Sequence, residues 1–147
     1  MVWDKGAKML LNCTNHPYDT WADAQREAAT DKFGEVVDFP FPKVEPTWDT
    51  ERLRLEVGAY ADKVEALRPD AVFAAGEFTF LFMLVDRLLT DGIEVVASCS
   101  VRNTVETRDA NGNNVKTSVF VFERFRPYAR WQDGKARDKD RVDDKKE

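Results

Sequence analysis

The sequence predicts an α/β protein built on a mainly parallel sheet of four strands, followed by a C-terminal antiparallel hairpin. Between residues 9 and 97, short apolar runs alternate with longer stretches of helical period. Strands that alternate with helices pair in parallel, and we expect the doubly wound strand order 2-1-3-4. After residue 97 the period changes to two, and Asn111-Gly112 is a strong hairpin signal.

The first part of the chain supplies strand one, helix one and strand two. Strand one is apolar enough to be buried on both faces, and it must end before Pro17, which cannot continue a ladder. Helix one is predicted to begin at Asp19 or Thr20, either of which can cap it, and Gly34 supplies its C-terminal residue. The predicted ranges are 9–13 for strand one, about 19–33 for helix one and 35–39 for strand two.

The second part supplies two more helices, two parallel strands and the hairpin. Helix two is predicted to be capped by Thr47 or Asp49 and to end at Pro69. The predicted ranges are about 49–68 for helix two, 71–75 for strand three, about 78–90 for helix three, 93–97 for strand four, and 101–109 and 115–125 for the hairpin.

Helix three is apolar almost all round between Phe80 and Leu89. A helix that covers one sheet face needs a single apolar stripe, so a helix with more apolar sides is covered twice. In a chain this short, the simplest second cover is another copy of the chain. The sequence therefore predicts a two-fold homodimer that buries part of helix three.

Composition limits the function classes. The 147 residues suit one domain over residues 9–131, with a flexible N-terminus at 1–8 and a disordered charged tail at 132–147. A formal net charge of −5 disfavours a protein that binds DNA by phosphate neutralisation. Without a signal peptide or long apolar span, we expect a cytoplasmic protein with no membrane contact. Cys13 and Cys99 have no metal-type spacing, so we expect neither a metal nor a cofactor.

Polar side chains follow three of the predicted parallel strands, at the edge where α/β sheets bind ligands. Hydroxyls, amides and helix N-terminal N–H groups at such an edge form a polar nest for phosphate or ribose. The predicted ligand-binding residues are Asn12, Thr14 and Asn15 after strand one, Gly76, Glu77 and Thr79 after strand three, and Ser98 and Ser100 after strand four. The predicted catalytic residues are His16 and Arg102.

Several of these residues also have a structural interpretation. His16 is the single histidine and is suited to proton transfer, but it is also typical of a turn residue before proline. Glu77 is either a general base or the cap of helix three, and capping is the simpler role. Arg102 either clamps a phosphate or is a solvated charge on the hairpin. The two cysteines are interpreted as small buried hydrophobic residues rather than nucleophiles.

The opening Leu-Leu-Asn-Cys-Thr-Asn-His-Pro resembles the Asn-x-Ser/Thr-x-His-Pro start of small stand-alone proteins of type III CRISPR systems. These proteins have a CARF-like architecture (CRISPR-associated Rossmann fold) and belong with the ring nucleases, which degrade cyclic oligoadenylate messengers. The resemblance implies a Rossmann-like three-layer fold over about residues 9–128 and a homodimer whose strand ends converge on the ring of AMP units. The implied site residues are Asn12, Thr14 and His16.

The chemistry that the resemblance implies needs no metal. Each ribose 2′-OH attacks its own 3′-phosphodiester in line and leaves a 2′,3′-cyclic phosphate, while the protein holds the geometry and stabilises charge. Two other functions stay open: a sensor or sponge of the same fold that binds without cleaving, and a Cys- or His-dependent hydrolase of a nucleoside or other small molecule. Cleavage of a cyclic oligoadenylate in the presence of EDTA would separate them.

Overall fold

A computed structural model describes residues 8–132, which form one α/β unit. Residues 1–7 of the predicted N-terminal segment and residues 133–147 of the predicted tail lie outside the described residues. The elements are β1 (Met9–Cys13), a 3₁₀ turn (Tyr18–Thr20), α1 (Asp23–Phe33), β2 (Glu35–Asp38), α2 (Thr50–Ala66), β3 (Ala71–Ala74), α3 (Phe78–Thr90), β4 (Glu94–Arg108) and β5 (Asn114–Pro127).

The five strands form one mixed sheet in the order β2-β1-β3-β4-β5. β1 pairs in parallel with both β2 and β3, and β3 pairs in parallel with β4. β4 then pairs with β5 in the antiparallel sense. The α/β class, the mostly parallel sheet, the 2-1-3-4 order and the C-terminal antiparallel pair are therefore confirmed.

The helices lie on the two sides of the sheet. Leu10, Phe73 and Val96 point to the side where α1 packs, and we call this side the α1 face. Leu11 and Val72, one residue out of phase, point to α2 and α3 on the α2/α3 face. The core therefore consists of two apolar layers separated by the sheet.

Local signals set the ends of the helices. The Asp49 side chain accepts a hydrogen bond of 2.8 Å from the Arg52 amide, which confirms the predicted cap of α2. Gly34 ends α1 with a φ of 88°, in the left-handed region, and a Cβ there would lie 2.5 Å from the Lys8 carbonyl oxygen. Only glycine meets both conditions.

The predicted start of helix one at Asp19 or Thr20 is wrong. Residues 18–20 form the 3₁₀ turn, Trp21 is extended, and α1 begins at Asp23 after a cap residue, Ala22, that has no side-chain acceptor. The physical reason is the burial of Trp21. Its indole packs edge-on against Phe73 with ring centroids 5.4 Å apart, and this contact keeps the backbone at Trp21 extended, so that α1 begins only after it.

The predicted break between strand four and the hairpin is also wrong. β4 is a single strand through Ser98 and Ser100, because β5 supplies backbone partners for it from Val96 to Arg108. A bulge between Cys99 and Ser100 shifts the register without ending the ladder. β3 pairs with β4 only up to Val96, so residues 100–122 continue as a two-stranded ribbon, which we call the arm.

Within the described residues, no helix combines the length and the apolar character that a membrane span requires.

Candidate functional site

The loop after β1 is held by buried polar side chains. Asn12 is 1% exposed and Thr14 is 3% exposed. The Thr14 hydroxyl donates to Asn12 Oδ1 at 2.7 Å, and it accepts a hydrogen bond from the His16 amide at 3.2 Å. Asn12 Nδ2 donates to the His16 carbonyl at 2.9 Å and to Asp38 Oδ1 at 2.8 Å. The side chains of Asn12 and Thr14, both predicted to bind ligand, thus form hydrogen bonds that hold the loop in one conformation.

The backbone of His16 is fixed from two sides while its side chain stays exposed. Its carbonyl also accepts a hydrogen bond of 2.8 Å from Trp21 Nε1. Because a buried asparagine and a buried tryptophan hold the same carbonyl, the position of His16 is strongly determined. Asn15, the preceding residue, is likewise exposed.

Asp38 is a part of this loop that sequence reasoning missed. Besides Asn12, its Oδ1 accepts a hydrogen bond of 3.0 Å from the Tyr18 amide. The signal was available, because Asp38 ends β2 and lies opposite Asn12 in the parallel register. A polar pair at the ends of two neighbouring parallel strands predicts a contact.

A cleft of about 200 Å³ opens beside His16 on the α1 face. It is lined by His16, Thr20, Trp21, Ala22, Gln25, Phe73 and Ser98. The cleft therefore lies at the carboxyl ends of β1 and β3 and beside β4, at the edge that the sequence predicted. It brings His16 and Ser98 together as expected, and it adds Thr20 and Gln25, which were not predicted.

The residues after β3 serve the structure. Glu77 caps α3: its carboxylate accepts hydrogen bonds from the Phe80 amide at 2.8 Å, the Thr79 hydroxyl at 2.7 Å and the Thr79 amide at 3.1 Å. These donors, the Phe80 amide foremost, hold the pKa of Glu77 below its ordinary value. The interpretation of Glu77 as a cap is confirmed. Gly76 leaves room for Phe41, whose buried ring lies 2.3 Å from the position of a Cβ.

Glu77 and Thr79 face a second cleft, of about 380 Å³, between the start of α3 and the segment 44–53. Neither residue lines the cleft beside His16. The structure therefore separates Glu77 and Thr79 from His16, which follows β1, and from Ser98, which lies within β4.

Ser100 and Arg102 lie on the arm. Side-chain alternation places both on the same side of β4 as Ser98. Arg102 is four residues beyond Ser98, which is about 13 Å along the strand. Its guanidinium donates from Nε and Nη2 to Ser118 Oγ, at 3.1 and 3.0 Å. The structure does not bring Arg102 into the cleft with His16.

The cleft offers hydrogen-bonding groups above an aromatic floor. Thr20, Gln25 and Ser98 can donate or accept, and the floor is formed by Trp21 and Phe73. Among the residues that line the cleft, only His16 has a side chain suited to acid–base chemistry. Cys13 cannot assist, since it is fully buried and burial raises the pKa of its thiol to about 12. Its interpretation as a buried hydrophobic residue is confirmed.

In residues 8–132, no three His, Cys, Asp or Glu side chains come together as a group that could hold a metal ion. Comparison with curated proteins finds no match to the chain. Comparison with family models does find one, and the match spans residues 8–126, from the start of β1 almost to the end of β5. The match covers more than half of the chain and includes every residue of the cleft, so this protein belongs to the uncharacterized protein MJ1673 family.

Proposed function

We propose that the cleft beside His16 binds a nucleotide and that the protein cleaves cyclic oligoadenylate. The observation that carries the proposal is the position of an exposed imidazole, on a backbone held by Asn12 and Trp21, at the carboxyl ends of parallel strands. In doubly wound sheets, ligands bind at this edge where the strand order reverses, which here lies between β1 and β3. A Rossmann-like three-layer fold is part of the proposal, supported by helices on both faces of the sheet.

In the proposed reaction, the 2′-oxygen of a ribose attacks the adjacent phosphorus. A new P–O2′ bond forms, the P–O5′ bond to the next nucleotide breaks, and the products are a 2′,3′-cyclic phosphate and a 5′-hydroxyl. The proton that leaves the 2′-OH must be accepted, and the 5′-oxygen must gain one. His16 is suited to either transfer, because an imidazole nitrogen can accept a proton and an imidazolium can donate one. Ser98 would orient the phosphate by hydrogen bonding.

Arg102 as a phosphate clamp stays a prediction within this proposal. A ligand that filled the cleft would have to extend about 13 Å along β4 to meet the guanidinium. A ring of several AMP units spans a larger distance than one mononucleotide and therefore suits this separation better.

The proposed protein is a homodimer that acts in the cytoplasm, where it would switch off type III CRISPR signalling. The homodimer is supported by two phenylalanines of α3, Phe78 and Phe82, whose side chains are 84% and 77% exposed. Large apolar side chains that are this exposed and one helical turn apart indicate a missing contact.

A second candidate function is a sensor or sponge that binds the same messenger without cleaving it. The observation that favours it is the lone acid–base group of the cleft, since His16 has no carboxylate or second imidazole beside it among the lining residues. Cleavage by 2′-OH attack gains most when both a base and an acid are in place.

The test is incubation of the purified protein with cyclic tetra- and hexa-adenylate in the presence of EDTA, followed by chromatography. Linear products with 2′,3′-cyclic phosphate ends would support the nuclease. Binding with intact ligand would support the sensor, and the absence of both binding and cleavage would refute the two functions together.

A further inference from the structure

Helices α2 and α3 are joined by one arginine and three carboxyl groups. Arg87 of α3 donates from Nε to Asp91 Oδ2 at 2.7 Å, and Asp91 directly follows the last residue of α3. The same arginine donates from Nη2 to Glu65 Oε2 and to Asp62 Oδ1, both at 2.7 Å, and these two carboxyl groups belong to α2. If all three were ionised, three negative charges would share one positive charge, and their mutual repulsion would oppose the packing of the two helices.

One oxygen atom of this cluster, Glu65 Oε1, has no hydrogen-bond partner among the described residues. The atom is buried, although the Glu65 side chain as a whole is 23% exposed. The other oxygen of the same carboxyl group is bonded to Arg87. A buried carboxylate oxygen without a donor costs free energy, because it has lost its water and gained no hydrogen bond in exchange. The structure therefore accommodates the ionised form of Glu65 poorly.

A proton on Glu65 Oε1 would satisfy this atom. The carboxyl groups of Glu65 and Asp91 lie within hydrogen-bonding reach of each other, so a protonated Glu65 can donate to Asp91. Neighbouring nitrogen atoms of the planar Arg87 guanidinium bind both groups and hold them close together. One shared proton thus supplies the missing hydrogen bond and lowers the negative charge of the cluster by one.

The surroundings favour the proton on Glu65 rather than on Asp91. Glu65 is the next-to-last residue of α2, where the helix dipole disfavours a negative charge. The hydrogen bond to Asp91 raises the pKa of Glu65 and burial raises it further, while Arg87 acts in the opposite direction. For Asp91, the hydrogen bond from Glu65 and the contact with Arg87 both lower the pKa. Arg87 and Asp91 are thus the charged groups that act on Glu65 from α3, and Asp62 of α2 contacts the same guanidinium.

We propose that Glu65 and Asp91 hold one proton between them and that this pair makes the packing of α2 on α3 sensitive to pH. The proton is bound to Glu65 Oε1 and donated to a carboxylate oxygen of Asp91, and it passes to water when the pair ionises fully. In the singly protonated form, the guanidinium of Arg87 faces two negative charges, and both oxygens of Glu65 have partners. The proposal is independent of the ligand of the cleft and of the homodimer.

The direction of the pH dependence follows from the pKa changes of the two carboxyl groups. The pKa of Glu65 is raised in the folded protein, so its contribution to stability is fully present below its ordinary value of 4.5 and is lost as the pH rises through the folded value. The pKa of Asp91 is lowered, so its contribution is present above 3.8 and is lost as the pH falls through the folded value. The contact is therefore most stable between the two folded values, where the pair carries one proton.

The first test is an NMR titration of the side-chain carboxyl carbons in the isotope-labelled full chain, with Glu65→Gln identifying the Glu65 signal by its disappearance. We expect the Glu65 inflection to lie above pH 4.5 in the wild type. Asp91→Asn should move it to lower pH, because the asparagine amide can donate to an ionised Glu65. Asp62→Asn is the matched control, since it removes the same charge from the same arginine, and it should move the inflection much less.

The second test measures the packing itself by urea titration of the wild type and Glu65→Gln between pH 4.5 and about pH 8. The glutamine amide can donate to Asp91 at every pH, so the variant should not lose this contact as the pH rises. The wild-type unfolding equilibrium constant should therefore increase relative to that of Glu65→Gln, by about tenfold for each pH unit by which the Glu65 inflection is raised.

Three results would overturn the proposal. These are a wild-type Glu65 inflection at or below pH 4.5, an inflection that Asp62→Asn and Asp91→Asn move equally, and a ratio of unfolding constants that stays the same from pH 4.5 to about pH 8. If circular dichroism shows that Asp91→Asn does not fold, the wild-type inflection and the urea titration of Glu65→Gln decide.

Discussion

At the scale of single residues, the buried polar side chains of the loop after β1 hold its conformation, while its exposed polar side chains are accessible to a ligand. Asn12 and Thr14 are buried and bond to one another and to the backbone of His16, while the side chains of Asn15 and His16 point outward. A buried amide with all its hydrogen bonds made stabilises one loop conformation. An exposed imidazole on that loop is free to meet a ligand without reorganising the protein.

If the proposed nuclease is correct, His16→Ala should lower single-turnover cleavage by about 100-fold or more, which is the usual range for loss of an acid–base group. Binding of the messenger should change by less than about threefold, because proton transfer acts in the transition state. Asp19→Asn, an exposed position on the neighbouring turn that does not line the cleft, serves as the control. Equal cleavage by His16→Ala and wild type would leave His16 as a turn residue.

The cap of α3 makes stability depend on pH. Glu77 has its pKa lowered in the folded protein, so its contribution is fully present above its ordinary value of 4.5 and is lost as the pH falls through the lower folded value. Glu77→Gln should therefore reduce the free energy of unfolding at pH 7 by about 0.5–1 kcal/mol, the usual worth of a charged cap.

Urea titrations of wild type and Glu77→Gln at pH 7 and near pH 3 would test this, and the difference between the two proteins should shrink at the lower pH. Glu27→Gln, an exposed residue within α1, is the matched control and should behave alike at both values. A difference that stays constant with pH would contradict the role of the carboxylate.

At the scale of elements, the β1 loop is tied to β2 through Asn12 and Asp38. Asn12→Ala would leave the Asp38 carboxylate, the Thr14 hydroxyl and the His16 carbonyl each short of one partner. We expect the free energy of unfolding to fall by about 2 kcal/mol, as for other buried groups that lose a hydrogen bond. Asn15→Ala, an exposed substitution of the same residue type in the same loop, should cost much less. Equal losses in a urea titration would show that the buried network contributes little.

Elements with a strong local signal could be predicted from the sequence. The apolar run 9–13 and the stretch 78–90 have the same limits in the structure as in the prediction. Asp49 was recognisable as a cap, since a short side chain with an acceptor oxygen directly before a helical stripe is typical of the N-cap position. These are features for which the local sequence and the fold agree.

The features that could not be predicted depend on distant partners. Ser98 and Ser100 lie inside a strand because β5 pairs with them, and a polar side chain does not stop a ladder whose bonds are made by the backbone. α1 starts late because Trp21 packs on Phe73, which is 52 residues away in sequence. Gln25 and Thr20 line the cleft because of this late start of α1. The sequence therefore predicted the edge of the sheet at which the cleft lies, but not all of the residues that line it.

At the scale of the whole molecule, the two faces of the sheet have different exposed features. The α1 face carries the cleft, and the α2/α3 face carries the exposed phenyl rings of Phe78 and Phe82. If the proposed nucleotide site and the proposed homodimer are correct, substitutions on opposite faces should alter ligand binding and self-association independently. This separation lets the ligand of the cleft be sought with monomeric variants as well as with the wild type.

Because Cys13 is buried, the rate at which its thiol is alkylated reports how often the surrounding structure opens. Only a thiolate reacts with an alkylating reagent, and with a pKa of about 12 the Cys13 thiol would be ionised at pH 8 in on the order of one molecule in ten thousand. Its side chain lies in the apolar layer between the sheet and the helices α2 and α3, so a reagent reaches the thiol when that layer opens. In a Cys99→Ser background, alkylation of Cys13 should be slow in buffer and should accelerate with urea in step with tryptophan fluorescence. Rapid alkylation in buffer would show that this layer opens locally while the rest of the protein stays folded.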